Sequence, residues 1–298
     1  MTPRETLRLE IVAAPAPAWV QDAGRPGHMV DGVPPGGALV PEHLAAANRS
    51  VGNVAGAASI EAFGGLTVAA RGGDLRICWG GSEGGAAAWL PRDHVRVLSA
   101  DAGARVAYLA VAGGLDVPVV LGGRGLLPVA GLGGGVGRPL RAGDRLGVGA
   151  ATGIVGLPFA APDGLSPGDR PIRVIRGPDA ARFAPDAWEA LLHGPWRIGA
   201  ASDRVGVRLL GPTLGRVDGD LARSAPMVVG ALQVPAGGGP IVLGPDHPTT
   251  GGYPVLGVTI RADLGALFLR APESPVRFVE VSLADAHRAR AGWRALWM

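Results

Sequence analysis

The segment at residues 246–254, DHPTTGGYP, carries the densest set of reactive groups in the chain. His247 can move a proton near neutral pH, and Asp246 can set its tautomer if the fold brings the two together. Thr249 and Thr250 add hydroxyls, and Tyr253 adds a phenol. The adjacent Gly251 and Gly252 let backbone N–H groups approach a ligand closely. Neighbours on a strand point to opposite faces, so Asp246 and His247 need not touch, and the same residues also fit a tight turn with a capping Asp.

Three further stretches combine glycines with polar groups. In the first, residues 20–27 (VQDAGRPG) run towards a second turn at 32–37. There Gln21 and Asp22 precede Arg25, whose fork can clamp a carboxylate or phosphate or satisfy loop carbonyls. The second is residues 111–116, which leads into a glycine-rich run at 121–137. In the third, residues 202–209, Asp203 and Arg204 read as an internal ion pair bracing the start of a strand. Gln233 falls inside an apolar run and needs a hydrogen-bond partner, from backbone or ligand. If residues 246–254 form a pocket, they should face Arg25 and the 32–37 loop, so that a cationic fork and backbone donors converge on one point.

Several chemistries are excluded. The chain has no Lys, so all 28 basic residues are Arg. A phosphate-loop lysine, a Schiff-base lysine and a biotin-carrying lysine are therefore absent. The six His show no metal-ligand spacing. No G-x-S-x-G element is present, and the glycines at 132–140 lack the context of a dinucleotide fingerprint. The pI of about 9.9 reflects how little titrates between carboxylates and Arg, because the net charge is only +3. Without a basic run interleaved with aromatics, nucleic acid is not an expected partner. The single Cys, Cys78, lies in an alternating run and reads as a buried structural thiol. The first ten residues lack the apolar core of a signal peptide, and no apolar run is long enough to span a membrane. A cytoplasmic protein is expected.

The elements that must position these groups are mostly strands. Leu7, Leu9 and Ile11 alternate with Arg8 and Glu10. Similar runs recur at 66–69, 75–79, 95–98, 106–111, 172–175, 206–210, 228–234, 241–243, 255–260 and 276–281. Gly (50) and Pro (27) punctuate them, while a hydrophobic fraction of 47% supplies a core. Helices are expected at 41–50, 187–193 and 282–297, the last with Ser282 as N-cap and Asp285 three residues on. The proline-rich stretch 158–171 reads as a linker between a β-rich part at 1–165 and a second at 166–298.

Nine segments carry a family resemblance: WVQDAGRPGH, GVPPGGAL, AANRSVGN, YLAVAGGLDVPVVLGGRG, GGGVGRPLRAGD, IRVIRGPD, SDRVGVRLLGP, GALQVP and DHPTTGGYP. In this order they resemble the C subunit of bacterial 5-oxoprolinase, also described as allophanate hydrolase subunit 2 or a biotin-dependent carboxyltransferase family protein. The likeness covers about residues 7–284. It implies a mostly β fold with two cyclophilin-like β-barrel subdomains and a few short helices. It implies a subunit-B-like partner, a subunit-A-like protein, and ATP-dependent hydrolysis of 5-oxoproline to glutamate. A sister branch forms the carboxyltransferase part of urea carboxylase, which uses biotin carried on another domain; this chain has no lysine to carry it.

Matching positions are Gln21, Asp22, Arg25, Asp203, Arg204, Gln233, Asp246, His247, Thr250 and Tyr253. The resemblance is weaker at Gly36 and Val40, where the family has Ser and Asp. It is weaker too at Gly123, Gly125 and Leu126, where the family has two Ser and a Thr, and at Ala225 and Pro226, in place of Glu-Gly. Three functions follow as alternatives: an ATP-using 5-oxoprolinase subunit, a non-catalytic or regulatory homologue, and a carboxyltransferase half.

Overall fold

The computed structural model describes residues 6–80, 85–99, 105–151, 170–217 and 223–297. All but the last two positions of the proline-rich stretch at 158–171 lie outside the described residues. The chain divides into two compact units, Met1–Pro26 with Gly36–Ser166, and Gly27–Pro35 with Pro167–Met298. Strands dominate both. Among the described residues there are four α-helices, Pro41–Ser50, Ala187–His193, Arg261–Phe268 and Leu283–Trp297. None is long and apolar enough to cross a membrane.

The first unit is built from two five-stranded antiparallel sheets. One runs in the order Val95–Leu98, Leu66–Arg71, Arg8–Ala13, Arg145–Val148, Leu115–Asp116. The other runs Ala18–Gln21, Ser59–Ala62, Ala107–Val111, Leu75–Gly80, Ala87–Leu90. Period-two alternation sends Leu9 and Ile11 into a core shared with Val20, Ile60 and Leu109 of the second sheet. Arg8 and Glu10 are left on the opposite face. The helix Pro41–Ser50 packs on Ala107–Val111 and Leu75–Gly80. Cys78 is buried in this second sheet, and burial pushes its thiol pKa up.

In the second unit, eight strands form one sheet in the order Pro275–Val276, Trp196–Ile198, Gly206–Leu210, Ile241–Leu243, Ala231–Gln233, Val255–Thr259, Ile172–Arg176, Phe278–Glu280. The first and last of these are separated in sequence by Arg277 alone. The sheet therefore curls until its two edges meet, and the Ile172 amide donates to the Arg277 carbonyl at 2.7 Å. Closure of this kind removes exposed edges and makes a barrel.

Two sequence expectations are corrected by the structure, and one helix is added. The run 228–234 is a strand only at Ala231–Gln233, because Gly230 adopts φ +88 and turns the chain before it. The run 276–281 is two strands broken at Arg277, each pairing with a different edge. The helix Arg261–Phe268 is not expected from its sequence: it is short, has no side-chain cap and contains Gly265. Tertiary bonds hold it, since the buried Asp263 accepts from the Arg173 amide and guanidinium and from Arg170. The closing helix begins as expected, with reciprocal bonds between Ser282 and Asp285.

Candidate functional site

Strand pairing brings two of the sequence segments together. Gly206 lies opposite Leu243 in the ladder, so the residues just before 206 and just after 243 share one end of the sheet. The Gly244 amide donates to the Val205 carbonyl and the Asp246 amide to the Arg204 carbonyl, extending that contact. Here Arg204 Nε donates to Asp246 Oδ2 at 2.7 Å and a terminal nitrogen donates to Oδ1 at 2.9 Å. Both side chains are 4% exposed. Such a fork against a carboxylate fixes both groups in one plane.

The ion pair expected between Asp203 and Arg204 is not formed. Asp203 Oδ1 instead accepts from the Val205 and Gly206 amides, at 2.9 and 3.1 Å. A short Asp side chain at a strand start reaches its own following amides more easily than a neighbour pointing to the other face.

His247 is buried, and its Nδ1 lies 2.8 Å from the Pro248 carbonyl. That carbonyl only accepts, so the neutral ring carries its proton on Nδ1 and a lone pair on Nε2. Burial lowers its pKa, opposed by the Pro248 carbonyl and the Asp246 charge. Asp246 therefore does not set the tautomer by direct bonding: its oxygens are on Arg204.

The rest of the segment frames this centre. Thr250–Gly251 pairs with Ala225–Pro226, with Gly251 opposite Ala225 and Thr250 opposite Pro226. The position where the family resemblance expects an acidic group, Ala225, thus lies beside the segment itself. The Thr249 carbonyl accepts the Met227 amide. The buried Gln233 donates to the Tyr253 carbonyl at 3.2 Å and to the Met227 sulfur at 3.1 Å, so its partner is backbone and thioether. Neither Gly251 nor Gly252 has a positive φ. Space at Gly251 is tight: a Cβ there would stand 2.7 Å from Gln233 Nε2, which would have to shift. A Cβ on Gly252 would meet nothing. Thr250 and Tyr253 are exposed. The segment thus presents two side-chain hydroxyls to solvent above a buried Arg204–Asp246 pair.

Gln21, Asp22 and Arg25 belong to the first unit, where they hold the 120–126 loop. Gln21 Nε2 donates to the Leu126 carbonyl at 2.7 Å, while its Oε1 is buried without a partner. Asp22 accepts the Gly24 amide at 2.8 Å and the Arg124 amide at 2.5 Å. Arg25, 1% exposed, donates to the Val120 and Gly125 carbonyls. A Cβ on Gly125 would lie 2.5 Å from Gln21 Oε1 and 3.0 Å from Asp22 Oδ1. Gly125, where the resemblance implies Ser, therefore lies against Gln21 and Asp22.

Sequence reading missed a second polar cluster in this unit. Glu61, wholly buried, accepts from Trp19 at 2.9 Å, from Tyr108 at 2.6 Å and from the Leu39 amide at 2.7 Å. The Tyr108 hydroxyl in turn accepts the Val40 amide at 2.9 Å. These bonds tether the segment carrying Gly36 and Val40 to the second sheet. The signal available was an acid inside the short apolar strand Ser59–Ala62. Among the described residues no group of three His, Cys, Asp or Glu is placed to hold a metal.

A family model described as the carboxyltransferase domain, subdomain A and B, matches residues 31–280. The chain belongs to this carboxyltransferase domain family. It is 36% identical to the 5-oxoprolinase C subunit of Escherichia coli over 95% of this chain and 94% of that protein. It is 30% identical to the urea amidolyase of Lachancea kluyveri over 94% of this chain but only 17% of that protein. The crystal structure of the Kluyveromyces lactis urea carboxylase superposes with a TM-score of 0.86 at 26% identity, covering 97% of this chain and 29% of that one. The chain is thus a homologue of the 5-oxoprolinase C subunit with a urea carboxylase carboxyltransferase-like fold.

Proposed function

We propose that this chain is a subunit of an ATP-dependent 5-oxoprolinase, acting with a subunit-B-like partner to activate 5-oxoproline for ring opening to glutamate. The observation that carries this reading is the 36% identity to a protein named as the C subunit of a 5-oxoprolinase, over nearly the full length of both chains. A lactam is a poor electrophile, so its oxygen must be polarised or phosphorylated before water can attack. ATP supplies the phosphoryl group. In this reading the exposed Thr250 and Tyr253 hydroxyls and the 251–252 amides bind the substrate. His247 exchanges the proton through Nε2. Asp246 acts by holding Arg204 in place.

The test is purification of the chain with its subunit-B-like partner and measurement of ATP hydrolysis with and without 5-oxoproline. Substrate-dependent hydrolysis is expected, and His247→Ala should abolish it while leaving the circular dichroism spectrum unchanged. Equal hydrolysis with and without the lactam would overturn the reading.

A second reading, a non-catalytic or regulatory homologue, is favoured by the first unit. There Gln21, Asp22 and Arg25 are engaged by the 120–126 loop, and glycines stand where the resemblance implies hydroxyl residues. On that reading the complex forms, but neither His247→Ala nor 5-oxoproline changes its ATP hydrolysis.

A further inference from the structure

The outer face of the Arg8–Ala13 sheet gathers arginines that neither the core nor the 246–254 segment uses. Antiparallel register places Arg71 directly opposite Arg8, and Arg145 opposite Glu10. Like charges facing each other across a ladder are unfavourable. Glu10 offsets part of this by accepting from Arg71 at 2.8 Å and Arg145 at 3.0 Å. Asp93, held at φ +60 on the neighbouring turn, accepts from Arg71 at 3.0 Å and Arg92 at 3.3 Å. A non-glycine residue held in the left-handed region is a local cost that aims this carboxylate at the arginines. The nearby Asp74 is turned to the Arg92 amide.

Arg8, Arg71, Arg92, Asp93 and Arg145 line one open cleft of about 470 Å³, and Glu10 accepts from two of these arginines. Among the described residues, Arg8, Arg71 and Arg145 face two carboxylates there, Glu10 and Asp93. Among the described residues the Arg8 guanidinium makes no hydrogen bond, and Arg145 spends only its Nε. The side chains of Arg92 and Arg145 are each 55% exposed, so both can be reached from solvent.

We propose that this cleft binds a small phosphoryl-bearing anion. Guanidinium forks converging from three strands suit the several oxygens of a phosphate chain better than the two of a single planar carboxylate. The cleft lies wholly within the first unit, and its assignment does not depend on the role of residues 246–254. The phosphoryl group can come from free pyrophosphate or from the tail of a nucleoside triphosphate.

Calorimetric titration of the full chain with inorganic pyrophosphate, and separately with ATP, tests this. Saturable binding of pyrophosphate is expected, with an affinity on the order of 1 mM or tighter. Added salt should weaken it. Arg8→Gln should weaken it by about tenfold, and Arg8→Gln with Arg145→Gln should remove it. The Arg8 change removes no bond within the described residues, so the melting temperature should hold. His247→Ala should leave pyrophosphate binding intact, which separates this site from any nucleotide site at 246–254. ATP matching pyrophosphate, with the same loss in Arg8→Gln, identifies the phosphate chain as the recognised part. Pyrophosphate binding without ATP binding restricts the site to the free anion. Absence of saturable pyrophosphate binding, or unchanged affinity in the double variant, would overturn the proposal.

Discussion

Arg204 and Asp246 form a buried, two-bond pair, and its worth lies mainly in what its loss would leave behind. Removing one partner strips a buried charge of its principal counter-ion, which costs about 3 kcal/mol or more. Asp246→Ala should therefore lower the unfolding free energy by that amount, measured by urea titration. His43 sets a second expectation. It is buried in the helix Pro41–Ser50 with neither ring nitrogen partnered, and burial lowers its pKa from 6.5 to about 4. The folded ring thus stays neutral where the unfolded ring takes up a proton. Stability on its account is full above about pH 6.5, falls as pH drops towards 4, and is level below that, with roughly 3 kcal/mol lost. His247, also lowered, acts in the same direction. His43→Leu should flatten most of this acid limb without forfeiting a hydrogen bond, as read by thermal melts at stepped pH.

At the scale of elements, the turn between Ala107–Val111 and Leu115–Asp116 depends on two adjacent glycines at positive φ, Gly113 and Gly114. Gly113 has φ +92, and a Cβ there would collide with the Gly149 carbonyl. Its amide donates to Asn53, which also bonds Asn48 and the Val111 carbonyl. The motif AANRSVGN is thereby explained as the brace of this turn rather than as a reactive group. Gly113→Ala should cost at least about 2 kcal/mol, through strain at positive φ and backbone overlap. A change of that size would appear as a clear drop in melting temperature. A neutral result would show that the turn adjusts.

Over the whole molecule, the balance of elements is heavily towards strands. Helices of 10, 7, 8 and 15 residues are set against three extended sheets among the described residues. The far-ultraviolet circular dichroism spectrum should be β-dominated, with a helical share well below the globular average of about a third. A helix-dominated spectrum would contradict this architecture. Exposed apolar side chains such as Val30, Val97 and Trp89 also remain on the surface. They fit a chain whose relatives are named as subunits, though scattered apolar residues alone do not define an interface.

Sequence alone determined the strand-rich class, the helices at 41–50 and 282–297 from their proline and cap signals, the structural reading of Cys78 and the family. Those properties are local or depend on composition. Alternation at Leu9 and Ile11 needs only the pleat, and the Ser282 cap needs only the next turn. Tertiary structure decided the partners. Arg204 meets Asp246 rather than Asp203 because Gly206 and Leu243 pair across a ladder, a register that no local pattern encodes. Gln233 finds the Tyr253 carbonyl, and Arg25 finds the Val120 and Gly125 carbonyls, through contacts 20, 95 and 100 residues away. The helix Arg261–Phe268 exists because Asp263 is held by Arg170 and Arg173, not because its own residues favour it. The energy of a buried polar group depends on which distant group satisfies it, and that choice is made only when the sheets close.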